Sequence, residues 1–359
     1  MSAASVQRVA ARVAPGPRLL LLGTGVVGTA FVERAGALAA RGMPVPAFAA
    51  LANSRGTFAC DDRPAQALAR AIAAVPVSDP AAPARWVDET LRPGDLVVDA
   101  TASDEVAGCH AAWLRQGIHV VSANKLGAGA GLARAQAISQ AVRSGSGRYG
   151  DSATVGAGLP VLRSIRELVA GGDRIDSIQG VLSGSLAWLF DRFDGSVPFS
   201  GLVRRARHEG FTEPDPRIDL SGEDVRRKLL ILARAAGMPL TSAQVEVSPL
   251  CTPTLQAAPT EAMDGLLAEL DQELQVRLAL ARRNYQVLRH IGRWQGEHAQ
   301  VRLEAVEIGH PLLAGGGTDN VVAIGSCRYR AQPLVISGPG AGARVTAAAL
   351  LDDVLRIQR

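Results

Sequence analysis

The chain has 359 residues, 47% hydrophobic but only 4% aromatic, with 38 basic and 34 acidic side chains for a formal charge of +4. That length accommodates two domains with aliphatic cores. So small and dispersed a charge excess argues against nucleic acid as a partner. No apolar run approaches a membrane span. The four cysteines (Cys60, Cys109, Cys251, Cys327) lack CxxC spacing, which argues against disulfides and a zinc site and makes a reducing cytoplasm the expected compartment.

Residues 1–17 hold Arg8 and Arg12 among many alanines and no acid. They read as a disordered lead-in rather than an organelle transit peptide. Arg18 to Leu22 reads as a buried strand entering GTGVVG, where Gly23, Gly25 and Gly28 have the GxGxxG spacing. A helix from Thr29 to Arg41 follows. In that context the glycines, with Val26 and Val27 between them, let backbone N–H groups approach a dinucleotide pyrophosphate at a helix N-terminus. A second strand, Val45 to Ala52, ends at Asn53-Ser54-Arg55. An NAD site usually carries Asp or Glu about 20 residues after the glycines. Here no acid lies between Glu33 and Asp61, and Ser54 with Arg55 favours the 2′-phosphate of NADP over NAD.

A strand from Asp95 to Ala100 leads to Thr101 and Ser103, which either contact the nicotinamide ribose or cap the next helix. After that helix, a strand from His119 to Ser122 ends at Asn124-Lys125. Lys125 thus falls at the strand ends where open α/β sheets bind ligands. Alternating strands and helices predict an α/β, Rossmann-type doubly wound parallel sheet over residues 18–150.

The pattern changes near Tyr149, and residues 151–310 read as a second, α+β domain for substrate binding and dimerisation. Its expected elements include a long helix from Glu261 to Arg282, with Leu266, Leu267, Leu270, Leu274 and Leu278 on one stripe. Strands at Gln286 to Trp294 and Gln300 to Glu307 follow. Residues 311–359 are expected to return to the dinucleotide-binding domain. They hold strands Val321 to Ile324 and Leu334 to Ile336, the glycine turn GPGAG, whose Gly340 and Gly342 are expected to contact the coenzyme, and a closing helix, Val345 to Leu355.

The densest chemistry lies between Glu209 and Leu230, where Glu209, Glu213, Asp215, Asp219, Glu223 and Asp224 precede Lys228. Pro214 and Pro216 fix the backbone that presents these carboxylates. Such a loop suits a small substrate that carries an ammonium group and has a proton to move. Asp224 also fits a helix cap, because Ser221 precedes it by three residues, or an i,i+4 pair with Lys228. Glu209, Asp215 and Glu223 read as surface or local structural groups.

The chain resembles homoserine dehydrogenases. The resemblance rests on GTGVVG, SANK (Ser122 to Lys125), TVGAGLP (Thr154 to Pro160) and LSGSL (Leu182 to Leu186). It continues through GFTEPDPRIDLSGEDVRRKLLILAR (Gly210 to Arg234) and GPGAGARVTAAAL (Gly338 to Leu350). It implies NAD(P)-dependent interconversion of L-aspartate 4-semialdehyde and L-homoserine, in the branch leading to threonine, methionine and isoleucine. By motif position it makes Lys125 and Lys228 the active-site lysines and Glu213, Asp219 and Asp224 the substrate-binding acids. Gly184 and Ser185 become a substrate-contacting turn. It further implies a homodimer, and a Na+ or K+ ion held by backbone carbonyls of Val155, Ala157 and Gly158. Ser152 stands where many relatives have an acid, with Asp151 one residue earlier as a substitute. The chain length is expected to leave no room for an ACT or aspartate kinase domain. The competing readings are a dehydrogenase of another small amino acid, and a dinucleotide-sensing regulator, which would not need the lysines and the acidic loop.

Overall fold

Leu19 to Leu22 are all buried, and their alternation feeds two cores: Leu19 and Leu21 point into one face of a sheet, Leu20 and Leu22 into the other. The computed structural model describes residues 16–61, 63–75, 85, 87–88 and 91–359. Except for residues 16 and 17, the expected N-terminal tail lies outside them.

The first sheet comprises β1 (Arg18–Leu22), β2 (Ala47–Asn53), β3 (Gly56–Ala59), β4 (Leu96–Asp99), β5 (His119–Ser122) and β6 (Tyr149–Gly150), in the order β3-β2-β1-β4-β5-β6. All neighbours are parallel except β2 and β3. Helices α1 (Val26–Ala39), α2 (Pro64–Ala73), α3 (Asp104–Arg115), α4 (Leu126–Gly129) and α5 (Leu132–Ser144) belong to this unit. The antiparallel β3 is a departure from the expected strand–helix alternation. Ser54 and Arg55 form the turn of a β-hairpin, aided by Gly56 at φ +138°.

The remaining helices are α6 (Val161–Ala170), α7 (Gly184–Arg192), α8 (Phe199–His208), α9 (Arg217–Leu220), α10 (Glu223–Ala235), α11 (Pro253–Ala257), α12 (Thr260–Leu266), α13 (Glu269–Arg283) and α14 (Ala343–Ile357). The second sheet is mixed, in the order β12-β11-β7-β9-β10-β8, built from β7 (Ile175–Val181), β8 (Val245–Val247), β9 (Gln286–Gln295), β10 (His298–Glu307), β11 (Asp319–Ser326) and β12 (Leu334–Pro339). One core joins Ile178, Trp294, Leu303 and Ile324 of this sheet to Leu229 and Leu232 of α10 and to Leu270, Leu274 and Leu278 of α13.

Two expectations change. The helix expected over Glu261–Arg282 is two helices, α12 and α13. At the junction the bonds tighten to a three-residue span, Leu270 N–H to Leu267 O and Asp271 N–H to Ala268 O. The leucine stripe survives, with Leu267 and the three leucines of α13 buried and Leu266 half-buried. The segment 311–359 does not return as a whole. Its strands complete the second sheet as β11 and β12, and only α14 packs back, placing Leu350, Leu351 and Val354 in the core beneath α1.

Candidate active site

The end of β1 opens a cavity of about 540 Å³ lined by Gly23, Thr24, Gly25, Asn53, Ser54, Arg55, Ile72, Thr101, Ser103 and neighbours. Two glycines of the turn, Gly23 and Gly28, admit no side chain. Gly23 lies at φ +96°, and a β-carbon there would meet Ala100 O at 2.8 Å. One on Gly28 would meet Gly23 O at 1.9 Å. Gly25 begins α1 with open space around it, and Val26 is exposed while Val27 packs on the core. Such a cradle at a helix N-terminus fits a dinucleotide. Asn53 Nδ2 donates to Thr24 Oγ1 at 2.7 Å. Its Oδ1 accepts from Arg55 N–H at 2.7 Å. The Arg55 guanidinium donates to Ile72 O at the cavity wall.

Asp99, fully buried at the end of β4, ties this cavity to Lys125. It accepts from Thr101 Oγ1 at 2.6 Å and Asn124 Nδ2 at 3.0 Å, and meets His110 Nε2 at 2.9 Å. Asn124 Nδ2 also donates to Ser103 O at 2.8 Å. Of the two roles open to Ser103, the structure shows the cap: its Oγ accepts from Val106 N–H at 3.2 Å. Asp99, His110 and Asn124 were not among the expected site residues. Asn124 lies inside SANK, while Asp99 and His110 meet only through the fold.

Lys125 Nζ lies 3.2 Å from Asp224 Oδ1, and Lys228 Nζ lies 2.9 Å from Asp224 Oδ2. One carboxylate therefore holds two ammonium groups, one from each sheet's unit. Burial opposes ionisation of Asp224, but Lys228, and after it Lys125, outweigh this and hold the carboxyl well below the usual carboxylate range. Asp224 does not cap its helix. Gly222 occupies that position at φ +76° with no side-chain cap, and the Ser221 hydroxyl accepts from Glu223 N–H instead. Lys228 is buried and also donates to Leu182 O at 2.7 Å. Two of its three N–H groups are thus engaged, and the third has no acceptor among the described residues.

The substrate turn and the acidic loop meet directly. Ser185 Oγ donates to Asp219 Oδ1 at 2.7 Å, and Glu213 N–H donates to Asp219 Oδ2 at 2.9 Å. Burial pushes the Asp219 carboxyl above its usual range against these bonds, and the charges of Glu213 and Asp224 add to the rise. Gly184 starts α7, close under Thr318 O. The Glu213 side chain is exposed. The other acids of the stretch make local pairs: Glu209 with Arg205, Asp215 with Arg217, Glu223 with Arg226.

The turn proposed for a cation is less accommodating. Gly156 (φ +73°) and Ala157 (φ +50°) are both left-handed, and Gly156 O accepts from Leu159 N–H at 2.9 Å. Ser152 donates through N–H and Oγ to the Asp353 carboxylate, each at 2.9 Å. Both oxygens of Asp151 are clasped by Arg166, at 2.5 and 2.9 Å. Neither residue 151 nor 152 leaves a free carboxylate beside the Val155, Ala157 and Gly158 carbonyls. Among the described residues, no cluster of three or more His, Cys, Asp or Glu could hold a metal. These residues do not fit a site that needs an acidic ligand.

Residues 160–355 match the family model for homoserine dehydrogenase, and residues 23–149 match the homoserine dehydrogenase NAD binding domain. The chain belongs to the homoserine dehydrogenase family. It is 35% identical over 271 residues to the homoserine dehydrogenase of Schizosaccharomyces pombe, covering 73% of this chain and 72% of that protein. It is 44% identical over 265 residues to bifunctional aspartokinase/homoserine dehydrogenase 2 of Escherichia coli, covering 73% of this chain but 33% of that protein. This homoserine dehydrogenase family chain thus spans about a third of the bifunctional relatives it matches. Its fold superposes on a Candida auris protein of unknown function with TM-score 0.84 and 31% identity, covering 95% and 98% of the two chains. A hyperthermophilic archaeal homoserine dehydrogenase solved with NADPH shares the fold, with TM-score 0.71 and 18% identity over 95% of this chain and 97% of that one.

One sequence signal for the site goes beyond the motifs. Of the chain's 38 basic residues only two are lysines, Lys125 and Lys228, and both sit on Asp224. Arginine stays charged in proteins, whereas an ammonium can give up a proton.

Proposed function

We propose that this chain interconverts L-homoserine and L-aspartate 4-semialdehyde with a nicotinamide dinucleotide, taking NADP in preference to NAD. The observation that carries this reading is the pairing of the two lysines on Asp224, alongside a glycine-floored cavity. A bound nicotinamide supplies or accepts the hydride. In the reducing direction the aldehyde oxygen gains negative charge. The free N–H of Lys228 stabilises that charge and delivers the proton; in reverse, Lys228 accepts it from the hydroxyl. Lys125 polarises the same oxygen and positions the substrate. Glu213, Asp219 and Asp224 attract the substrate's ammonium group, with Gly184 and Ser185 shaping the turn that faces it. Thr101 and Ser103, and Gly340 and Gly342 in the returning turn, complete the coenzyme's surroundings.

The NADP preference draws support from Arg55 at the cavity wall and from the lack of an acid between Glu33 and Asp61. We leave a Na+ or K+ ion out of the reaction, because Arg166 already neutralises Asp151. Turnover should be equal in sodium, potassium and choline chloride at one ionic strength. We extend the reading to a homodimer paired through the second sheet, which light scattering would show as twice the 37.4 kDa chain mass, and to a cytoplasmic location. No helix among the described residues is long and apolar enough to cross a membrane.

The deciding experiment follows absorbance at 340 nm with homoserine and each oxidised coenzyme. Growth of the signal with homoserine supports the proposal. A flat trace with both coenzymes, from protein that still binds dinucleotide, favours the sensor reading.

A further inference from the structure

Asn320, second residue of β11, is fully buried. Its Nδ2 donates at 3.3 Å to Leu182 O, the same oxygen that accepts from Lys228 Nζ at 2.7 Å. A carbonyl oxygen has two lone pairs, and here both have a donor. The shared acceptor also sets which way the carboxamide faces, since a flip would put oxygen against oxygen. Asn320 Oδ1 is therefore the end left without a partner. A buried unpaired acceptor is costly, so an apolar residue of the same shape would make the more stable core.

The surroundings are shaped to seat this amide. A β-carbon on Gly340 would lie 2.0 Å from Asn320 Cγ and 2.1 Å from Oδ1. The glycine of GPGAG that the sequence assigns to coenzyme contact is thus already required by Asn320. Position 320 is also held by the ladder, opposite Gly338 of β12.

We propose that Asn320 is a positioning residue for the reaction, fixing the Leu182 carbonyl that aims the Lys228 ammonium and leaves its third N–H toward the substrate. This rests on Lys228 being the proton-transfer group. Asn320 reaches Lys228 through the shared oxygen, so the effect argued here runs through the lysine. With the donor lost, the Leu182 carbonyl is free to tilt, and the ammonium loses its fixed direction without losing its charge. Substrate and coenzyme affinities then stay while the rate of proton transfer falls.

The test is a double-mutant cycle on homoserine oxidation. Asn320→Leu should lower kcat about 10-fold, with KM for homoserine and for coenzyme within about threefold of wild type. In a Lys228→Met background, the same substitution should change the residual rate by less than about twofold. Asn320→Ala, which removes the same donor to Leu182 O without adding bulk, should reproduce that pattern, and it carries the test should Asn320→Leu not fold. Unchanged kcat in both single variants, or an equal loss with and without Lys228, would overturn the proposal. Full turnover by Lys228→Met would overturn the proton-transfer reading beneath it, which distinguishes the two failures.

Discussion

Lys125 and Asp224 pair at 3.2 Å across the two structural units of the chain. The backbone around them is held just as closely. Arg234 of α10 donates to Ala128 O at 2.5 Å and Ala130 O at 2.8 Å, at the end of α4. Gly129 lies so near that a β-carbon would meet Arg227 at 2.6 Å and Ile231 at 3.0 Å. The lysine of one unit and the carboxylate of the other are thus fixed by backbone as well as by charge.

Removing the proton while keeping the charge is the sharpest test of the chemistry. Lys228→Arg retains a cation that cannot deprotonate. It should lower kcat about 10²-fold or more while dinucleotide binding by fluorescence titration persists. Turnover close to wild type would remove Lys228 from proton transfer.

Asp224 links activity to acid stability. Its folded carboxyl titrates below the ordinary value of 3.8. The stabilisation is therefore present above that value and lost as pH falls through the lower folded one. Asp224→Asn should be less stable than wild type to urea at pH 6, and the gap should narrow as pH is lowered below the ordinary carboxylate value. A gap that widened in acid would contradict the assignment.

Asp219 has the opposite sign. Its carboxyl is raised by burial, so the folded state binds a proton more tightly than the unfolded one, and stability falls as pH rises through the interval between the two values. Asp219→Asn, which removes the titrating group, should lessen the fall in Tm that the wild type shows as pH rises above the ordinary carboxylate value. The same variant should raise the KM for homoserine. Calorimetry showing a Tm that falls just as steeply with pH in the variant would count against this account.

Glu213 contributes its backbone to Asp219 and leaves its side chain exposed. Glu213→Ala should raise the KM for homoserine about 10-fold with little change in Tm. An unaltered KM would end its role as a substrate ligand.

Arg55 tests the coenzyme preference. Arg55→Ala should weaken NADPH about 10-fold and NADH about twofold or less, the difference expected for losing a guanidinium–phosphate pair. Equal losses in isothermal titration would show that Arg55 does not read the 2′-phosphate.

The sequence was most legible where one local pattern decides one local structure. The leucines of β1 and the glycines after them declare a strand, a tight turn and a helix within a dozen positions. The hairpin to β3 was harder to see, because Gly56 to Ala59 is too short to show an alternation. The Ser221–Asp224 spacing suggested a helix cap. The fold uses it otherwise, since Lys125, 99 positions before Asp224 in the numbering, outcompetes the local backbone for that carboxylate. Leu182 O is invisible to any reading of side chains, and its second donor, Asn320, lies 138 residues away. Motifs reported which residues matter; the backbone groups that aim them emerged only with tertiary structure.

The last helix bears on how the chain acquires its fold. Leu350, Leu351 and Val354 of α14 complete the core under α1, and Asp353 clasps Ser152. During synthesis the nucleotide-binding sheet therefore stays unfinished on one face until α14 has left the ribosome. A fragment ending after residue 150 would expose that face to solvent and to other chains, so the binding unit cannot be made by cutting the gene at the obvious boundary. Its folding partner, α14, is encoded far downstream of that boundary.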